Sequence, residues 1–204
     1  MTVIFKLGGS LLTLPELGST LREVMSLRSG QARLVVPGGG AAADVVREWS
    51  EIHQLDDEAS HWIAISSMDL NRKFLSRLFD WQTVRSREAA ADAWRLDLAP
   101  LLLNMTEFLQ AEEVAARDRL PHDWNVTSDS LAVWVAARWP ADELVLLKSV
   151  PVPQSRSAAD ASRQQLVDAH FPLVSGQLRR ISWCNLQARP VLIEPWIENL
   201  SGNA

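Results

Sequence analysis

Two short apolar runs, TVIFKL and ARLVVP, each end in glycines and lead into a segment with helical spacing. Runs of this length, rich in β-branched and large apolar residues, read as buried strands when turn residues close them. Strand, glycine turn and helix, repeated, is the rhythm of a parallel sheet covered by helices. The chain is therefore expected to be an α/β protein with a mainly parallel central sheet.

The rest of the chain fits that rhythm. Between the two runs, LPELGSTLREVMSLRSG places Leu17, Leu21, Val24 and Met25 on one helical face, with Pro15 near the start and Gly30 past the end. A helix is expected from Ala42 to Trp49. A longer one is expected from about Asp56, with Trp62, Ile65, Met68, Leu75 and Leu78 as its apolar stripe. LDLAPLLL is a candidate strand that its internal proline would break or confine to an edge. Ser128 to Arg138 is apolar nearly all round and predicts a helix buried on most sides, followed by a strand from Leu144 to Leu147. SVPVPQSRSAADASR reads as a mobile loop, RPVLIEPW as a last strand and NLSGNA as a frayed tail.

A chain of 204 residues can bury one core, so a single domain over 1–204 is expected. A net charge of −5 without a long basic stripe argues against nucleic acid and for small-molecule chemistry. Cys184 is the only cysteine, which rules out an internal disulfide and a cysteine metal cluster, and fits a reducing compartment. No stretch free of Asp, Glu, Lys and Arg exceeds ten residues, too few to span a bilayer, so a cytoplasmic protein without membrane contact is expected. His53, His61, His122 and His170 show no metal-ligand spacing and are expected in surface or structural roles. The nine tryptophans, with no tyrosine, read as core filling or interface.

Four motifs could carry chemistry. In KLGGS, glycines would let backbone N–H groups approach an anion and Lys6 would add a full positive charge; the same residues could simply close a strand. VVPGGG repeats the pattern at the second strand with Gly38, Gly39 and Gly40, which would share the carboxyl edge of the sheet with the first glycine pair. In TSDSLA, any of Thr127, Ser128 and Asp129 could cap a helix, or Asp129 could orient Lys6. Lys148, at the end of LVLLK, reaches the same edge, where it becomes a second phosphate clamp. Neither G-x-x-x-x-G-K-[ST] nor G-x-G-x-x-G occurs, so the common nucleotide folds are disfavoured.

KLGGS, VVPGGG and TSDSLA, in that order over residues 1 to 150, resemble the amino acid kinase superfamily, which includes acetylglutamate, uridylate, aspartate and isopentenyl phosphate kinases. DWNVTSDSLAVWVA, LVLLKSV and LVDAHFP resemble more narrowly the branch that phosphorylates an aminomethylfuran-methanol phosphate in methanofuran biosynthesis. The resemblance implies a three-layer αβα sandwich, ATP with Mg²⁺ as donor, a small-molecule acceptor and commonly a homodimer. By motif, Lys6 would stabilise the transferred phosphoryl group, Gly8 and Gly9 would bind it through their N–H groups, and Ser10 would sit in the same loop. Gly38, Gly39 and Gly40 would embrace the acceptor, Asp129 would organise the lysine, and no residue would bind metal directly. Such a site needs placement and charge more than covalent chemistry.

Two departures accompany the resemblance. LLKSV stands where many members read LTDV, and the late glycine-rich segment near the adenine is reduced to Gly176 in PLVSGQL. A kinase with a carboxylate or isopentenyl phosphate acceptor, or a relative that binds nucleotide without catalysis, are the competing readings.

Overall fold

The computed structural model describes residues 1–114 and 116–199. Seven strands form one sheet: β1 (Thr2–Leu7), β2 (Ala32–Pro37), β3 (Thr83–Val84), β4 (Leu101–Leu103), β5 (Glu143–Lys148), β6 (Arg180–Asn185) and β7 (Glu194–Glu198). Their spatial order is β3-β4-β2-β1-β5-β6-β7, parallel throughout except for β7, which runs antiparallel to β6. The helices are α1 (Leu17–Ser26), α2 (Gly40–His53), α3 (Asp57–Phe79), α4 (Arg87–Leu96), α5 (Met105–Glu112), α6 (Ser128–Arg138), α7 (Ala158–Arg163) and α8 (Phe171–Val174). The expected mainly parallel αβα sandwich is present. Among the described residues no helix is long and apolar enough to cross a membrane.

Strand periodicity sorts the core into two clusters. Val3, Phe5 and Leu7 of β1 join Val35, Val145 and Leu147 on the face covered by Leu17, Leu21, Val24 and Met25 of α1. Ile4 joins Leu34, Leu144 and Leu146 on the other face, with Ile65 and Met68 of α3 and the whole of α6. Alternate residues of a strand point to opposite faces, so Lys6 must lie on the α6 side. It is the only charge on a central strand whose other five residues are apolar or, at Thr2, at the edge.

Several elements depart from the sequence reading. β4 is short because pairing starts after Pro100, yet it is flanked by β2 and β3, so it is an interior strand and not an edge. Pro100 precedes the paired residues, where its missing N–H removes no ladder bond. α2 extends beyond Trp49 to His53 and ends on left-handed Gln54; in α3 Ile65, Met68 and Leu75 are buried, but Leu78 is exposed. α4, α5, β3 and β6 have no counterpart in that reading. In β6, Ser182 interrupts the apolar pattern and is satisfied by donating to Glu143 Oε1 at 2.6 Å.

The segment after β5 is not the mobile loop its prolines and small polar residues suggest. The buried indoles of Trp183 and Trp196 donate to the Val150 and Ser155 carbonyls at 2.9 and 3.1 Å. Ser157 then caps α7 by accepting from the Asp160 N–H. Of the expected frayed tail, residues 200–204 lie outside the described residues.

One buried ion pair joins α1's exit to the sheet. Arg28 grips Glu143 with two hydrogen bonds, Nε to Oε2 at 2.9 Å and Nη2 to Oε1 at 3.1 Å. Burial works to raise the Glu143 carboxyl, but the hydrogen bonds from Arg28 and Ser182 outweigh it and hold the group below the usual carboxylate range. Arg28→Met should cost about 3 kcal/mol at neutral pH, because it strands a buried carboxylate. A group with a lowered folded pKa contributes stability above its unfolded value and loses it as pH falls through the folded one. The gap between wild type and variant should therefore narrow as pH falls below the ordinary glutamate range and through the lowered value of Glu143. Urea denaturation at neutral and acid pH measures both; a gap independent of pH would refute the assignment.

Candidate active site

The carboxyl ends of β1, β2 and β5 lie side by side, with Lys6 in register with Val36 on one neighbour and Leu146 on the other. Lys148 is two residues beyond Leu146 and so projects from the same face as Lys6. α6 packs on that face and presents Asp129 in its first turn.

Asp129 bridges the two lysines. Lys6 Nζ lies 3.0 Å from Oδ1 and Lys148 Nζ lies 2.8 Å from Oδ2, with all three side chains largely withdrawn from solvent. Lys148 also donates to the Leu166 carbonyl at 2.7 Å. Burial works to raise the Asp129 carboxyl, but Lys148 and Lys6 overcome it and keep the group ionised below its ordinary value. Burial pushes the Lys148 ammonium down to about 8, against the pull of Asp129 and with the repulsion of Lys6. Two ammoniums and one carboxylate leave a buried net positive charge, which an anion can neutralise.

The expected helix cap at 127–129 is formed differently. Thr127 is the N-cap residue of α6, but its side chain makes no cap; Asp168 supplies the carboxylate from outside the helix. Asp168 Oδ2 accepts from the Thr127 N–H at 3.0 Å, the Thr127 hydroxyl at 2.9 Å and the Ser130 N–H at 2.9 Å. Its Oδ1 accepts from the Ser130 hydroxyl and from the Phe171 N–H at 2.9 Å. This external clamp frees Asp129 for the lysines. The Ser128 and Asp129 N–H groups have no acceptor among the described residues, and they add the partial positive charge of a helix start.

The two glycine loops meet backbone to backbone. A Cβ on Gly9 would fall 2.2 Å from the Gly40 nitrogen, and Gly40 has a left-handed φ of 54°. Neither position accepts a side chain. Gly8 donates its N–H to the Leu147 carbonyl at 3.1 Å and Gly38 donates to the Leu7 carbonyl at 2.7 Å, which stitches each loop to the neighbouring strand. Gly8 therefore does not offer the free N–H expected of it. The N–H groups of Gly9, Gly39 and Gly40 make no hydrogen bond among the described residues and remain available. Ser10 sits at the exposed side of the first loop, where its carbonyl accepts from the Thr13 hydroxyl.

Asn71 of α3, buried, donates through Nδ2 to both the Gly38 and the Gly39 carbonyls, at 2.7 and 2.8 Å. It fixes the second loop, and sequence reasoning missed it. Its signal was present: a polar residue three positions after Met68, on the buried stripe of α3. Asp168 was visible only as part of LVDAHFP, because the helix it caps lies 38 residues away.

A cavity of about 180 Å³ opens beside Gly39 and Gly40, between α2, α3 and the start of α6. Ala64, Met68 and Val126 give it an apolar floor, while Asp44, Asp57 and Asp123 line it with carboxylates. Arg47 stacks its guanidinium over Trp124 at 4.6 Å and pairs with Asp44 at 3.6 Å. His61 also lines this cavity and is brought against His122, a pairing that no sequence spacing signals.

Comparison with known proteins identifies the family and the fold. The model of the amino acid kinase family matches residues 1–152. The [5-(aminomethyl)furan-3-yl]methyl phosphate kinase of Methanocaldococcus jannaschii is 25% identical over 165 residues, covering 72% of this chain and 69% of that protein. The uridylate kinase of Archaeoglobus fulgidus superposes with a TM-score of 0.61 at 15% identity, over 95% of this chain and 91% of its own. The UMP kinase of Ureaplasma parvum gives 0.66 at 11% identity, over 94% and 89%. The aspartate kinase of Synechocystis gives 0.62 at 12% identity, over 97% of this chain and 41% of its own. With a family match over three quarters of its length and the fold to accompany it, the chain belongs to the amino acid kinase family and is a phosphotransferase.

Proposed function

We propose that the protein transfers the γ-phosphoryl group of ATP to a phosphomonoester of the aminomethylfuran-methanol type, forming a diphosphate in the assembly of a methanofuran-like C1 carrier in the cytoplasm. The observation that carries the reaction is the buried Lys6–Asp129–Lys148 group at the junction of two glycine loops. β1 lies between β2 and β5, so Lys6 is central, with the Gly38–Gly40 loop on one side and Lys148 on the other. On this reading the acceptor enters over β2 and the ATP phosphates lie over β5.

An acceptor phosphate oxygen attacks the γ-phosphorus, the bond to the β,γ-bridging oxygen breaks, and ADP leaves with that electron pair. The acceptor is already anionic, so no general base is required. Lys6 and Lys148 take up the charge on the transferred and leaving oxygens, and the Gly9 and Gly40 N–H groups hold the phosphoryl group in line. Mg²⁺ bound to ATP supplies further charge neutralisation. Both Asp129 oxygens face lysines and Asp168 is occupied by N–H groups, so the phosphates and not a protein carboxylate would carry the ion.

The cavity favours an aminomethyl acceptor. Its apolar floor suits a furan ring, and with Arg47 already paired to Asp44, Asp57 and Asp123 offer carboxylates to an ammonium at the far end. An isopentenyl tail would make no ionic contact with those carboxylates, and a carboxylate acceptor would meet them as like charge. α2 exposes Val45, Trp49 and Ile52 and α3 exposes Leu70 and Phe74, apolar surface that a second copy of the chain would cover to give a homodimer.

Incubation with ATP, Mg²⁺ and the aminomethylfuran phosphate should give ADP and a diphosphate resonance by phosphorus NMR. Lys6→Ala should lower kcat by about a thousandfold or more while the fold persists by circular dichroism. Turnover of isopentenyl phosphate or a carboxylate alone would reassign the acceptor, and ATP binding without transfer to any of the three would leave only a nucleotide-binding relative. Because Lys148 loses its charge as pH rises through about 8, kcat/KM should fall over that range, and Lys148→Arg should move the decline to higher pH. An identical profile in the variant would assign the limb to another group. Sedimentation should return a dimer for the wild type and a monomer for the Trp49→Glu/Phe74→Glu double variant; a monomeric wild type removes the dimer.

A further inference from the structure

Behind the far wall of the cavity, three side chains from separate segments converge: His61 from α3, Glu113 just past α5, and His122 from the connection to α6. One ligand atom from each lies within 4.8 Å of the other two. His61 and Glu113 are both more than nine-tenths buried. Among the described residues the Nε2 atom of His61 has no hydrogen-bond partner, and the side-chain partner of Glu113 is His122 Nε2, at 3.2 Å. No lysine or arginine among the described residues pairs with Glu113, so the one cation beside it is His122 when that ring carries both protons. A buried carboxylate and an orphaned imidazole nitrogen side by side are costly to keep unless something positive joins them.

The surroundings of His122 are those of a metal ligand. Its Nδ1 is 2.6 Å from Glu58 Oε2, and Glu58 Oε1 in turn accepts from the Trp62 indole at 2.7 Å. Against the effect of burial, a carboxylate on each ring nitrogen raises the His122 pKa, with the Nε2 proton directed at Glu113, and that proton is the one a metal ion would displace. The Glu58 carboxylate on Nδ1 orients the ring as a second layer of groups orients histidine ligands. The stacked rings of His61 and His122, 3.8 Å apart and 4° from parallel, need one ring to turn before both lone pairs meet. Ligands about 2.0–2.1 Å from a tetrahedral ion lie about 3.4 Å apart, so the closure is on the order of an ångström.

We propose that His61 Nε2, His122 Nε2 and the Glu113 carboxylate form a binding site for one divalent first-row transition ion, with Zn²⁺ the best match, separate from the phosphoryl-transfer centre. Two imidazoles and one carboxylate suit a borderline ion of this kind and not Mg²⁺ or Ca²⁺, which take oxygen ligands. Neutral imidazoles with the single charge of Glu113, backed by Glu58, balance a dication. Bound there, the ion ties α3, the end of α5 and the 116–127 connection together, and so holds Asp123 and Trp124 on the cavity wall.

The test uses the full chain, freed of metal by chelation and titrated with Co²⁺ and Zn²⁺ without ATP or acceptor. One Co²⁺ per chain should bind with visible ligand-field bands, Zn²⁺ should displace it, and Zn²⁺ should raise the melting temperature. His122→Gln and Glu113→Gln should each weaken binding at least about a hundredfold, since even groups that only orient a ligand contribute ten- to a hundredfold. His53→Gln, on the exposed end of α2, should bind as the wild type does and serves as the control for adventitious surface sites. Absent bands, or affinity retained in folded His122→Gln and Glu113→Gln chains, would overturn the site. Mg²⁺ competing as well as Zn²⁺ would overturn the assigned class of ion. None of these outcomes depends on whether the protein transfers a phosphoryl group.

Discussion

A single carboxylate holds the centre of this protein together. Lys6 sits on the middle strand of a seven-stranded sheet and Lys148 on the strand beside it, both on the face that α6 covers. Two buried ammoniums so close would repel each other and lose hydration, and Asp129 between them offsets both costs. The position of α6 follows from this need as much as from its apolar surface. Its first turn has to reach the sheet edge, and Asp168 has to take over the capping that Asp129 would otherwise perform.

That arrangement divides labour among groups that look alike in sequence. Asp129 and Asp168 are both carboxylates at one helix start, yet one faces two cations and the other faces N–H and hydroxyl donors. Gly8 and Gly38 give their N–H groups to neighbouring strands, whereas Gly9, Gly39 and Gly40 keep theirs. Different residues of the same two loops thus stitch the loops to the sheet and keep N–H groups unbonded, the latter being the donors that the proposed reaction uses. A site of this sort is preorganised, with its charges and donors in place before a phosphate arrives.

Much of this was legible because it is local. The apolar runs of β1, β2 and β5 lead directly to Lys6 and its glycines, to Gly38–Gly40 and to Lys148, whereas the shared face of Lys6 and Lys148 follows only from the register that sets Lys6 beside Leu146. The apolar circumference of α6 announced its burial. What was hidden depends on chain segments far apart. Asp168 acts on a helix many residues upstream, and Asn71 acts on a loop 33 residues before it. The loop after β5 looked mobile since its tethers are indoles from β6 and β7, the first of which has too broken an apolar pattern to be read as a strand. His61 and His122 carry no spacing signal, as three separate segments build their cluster.

The contact between Gly9 and Gly40 has a consequence for how such a protein can change its acceptor. With backbone against backbone and no space for a side chain, the loops proposed to face the reacting phosphates cannot change residue at Gly9 or Gly40 without separating. On the proposed reading, selectivity falls to side chains elsewhere on the cavity wall, among them Arg47, Asp57 and Asp123. The phosphate end becomes an invariant anchor, and the scaffold can be retuned to a new molecule by exchanging a few side chains on α2, α3 and the approach to α6 while the reaction itself is left untouched.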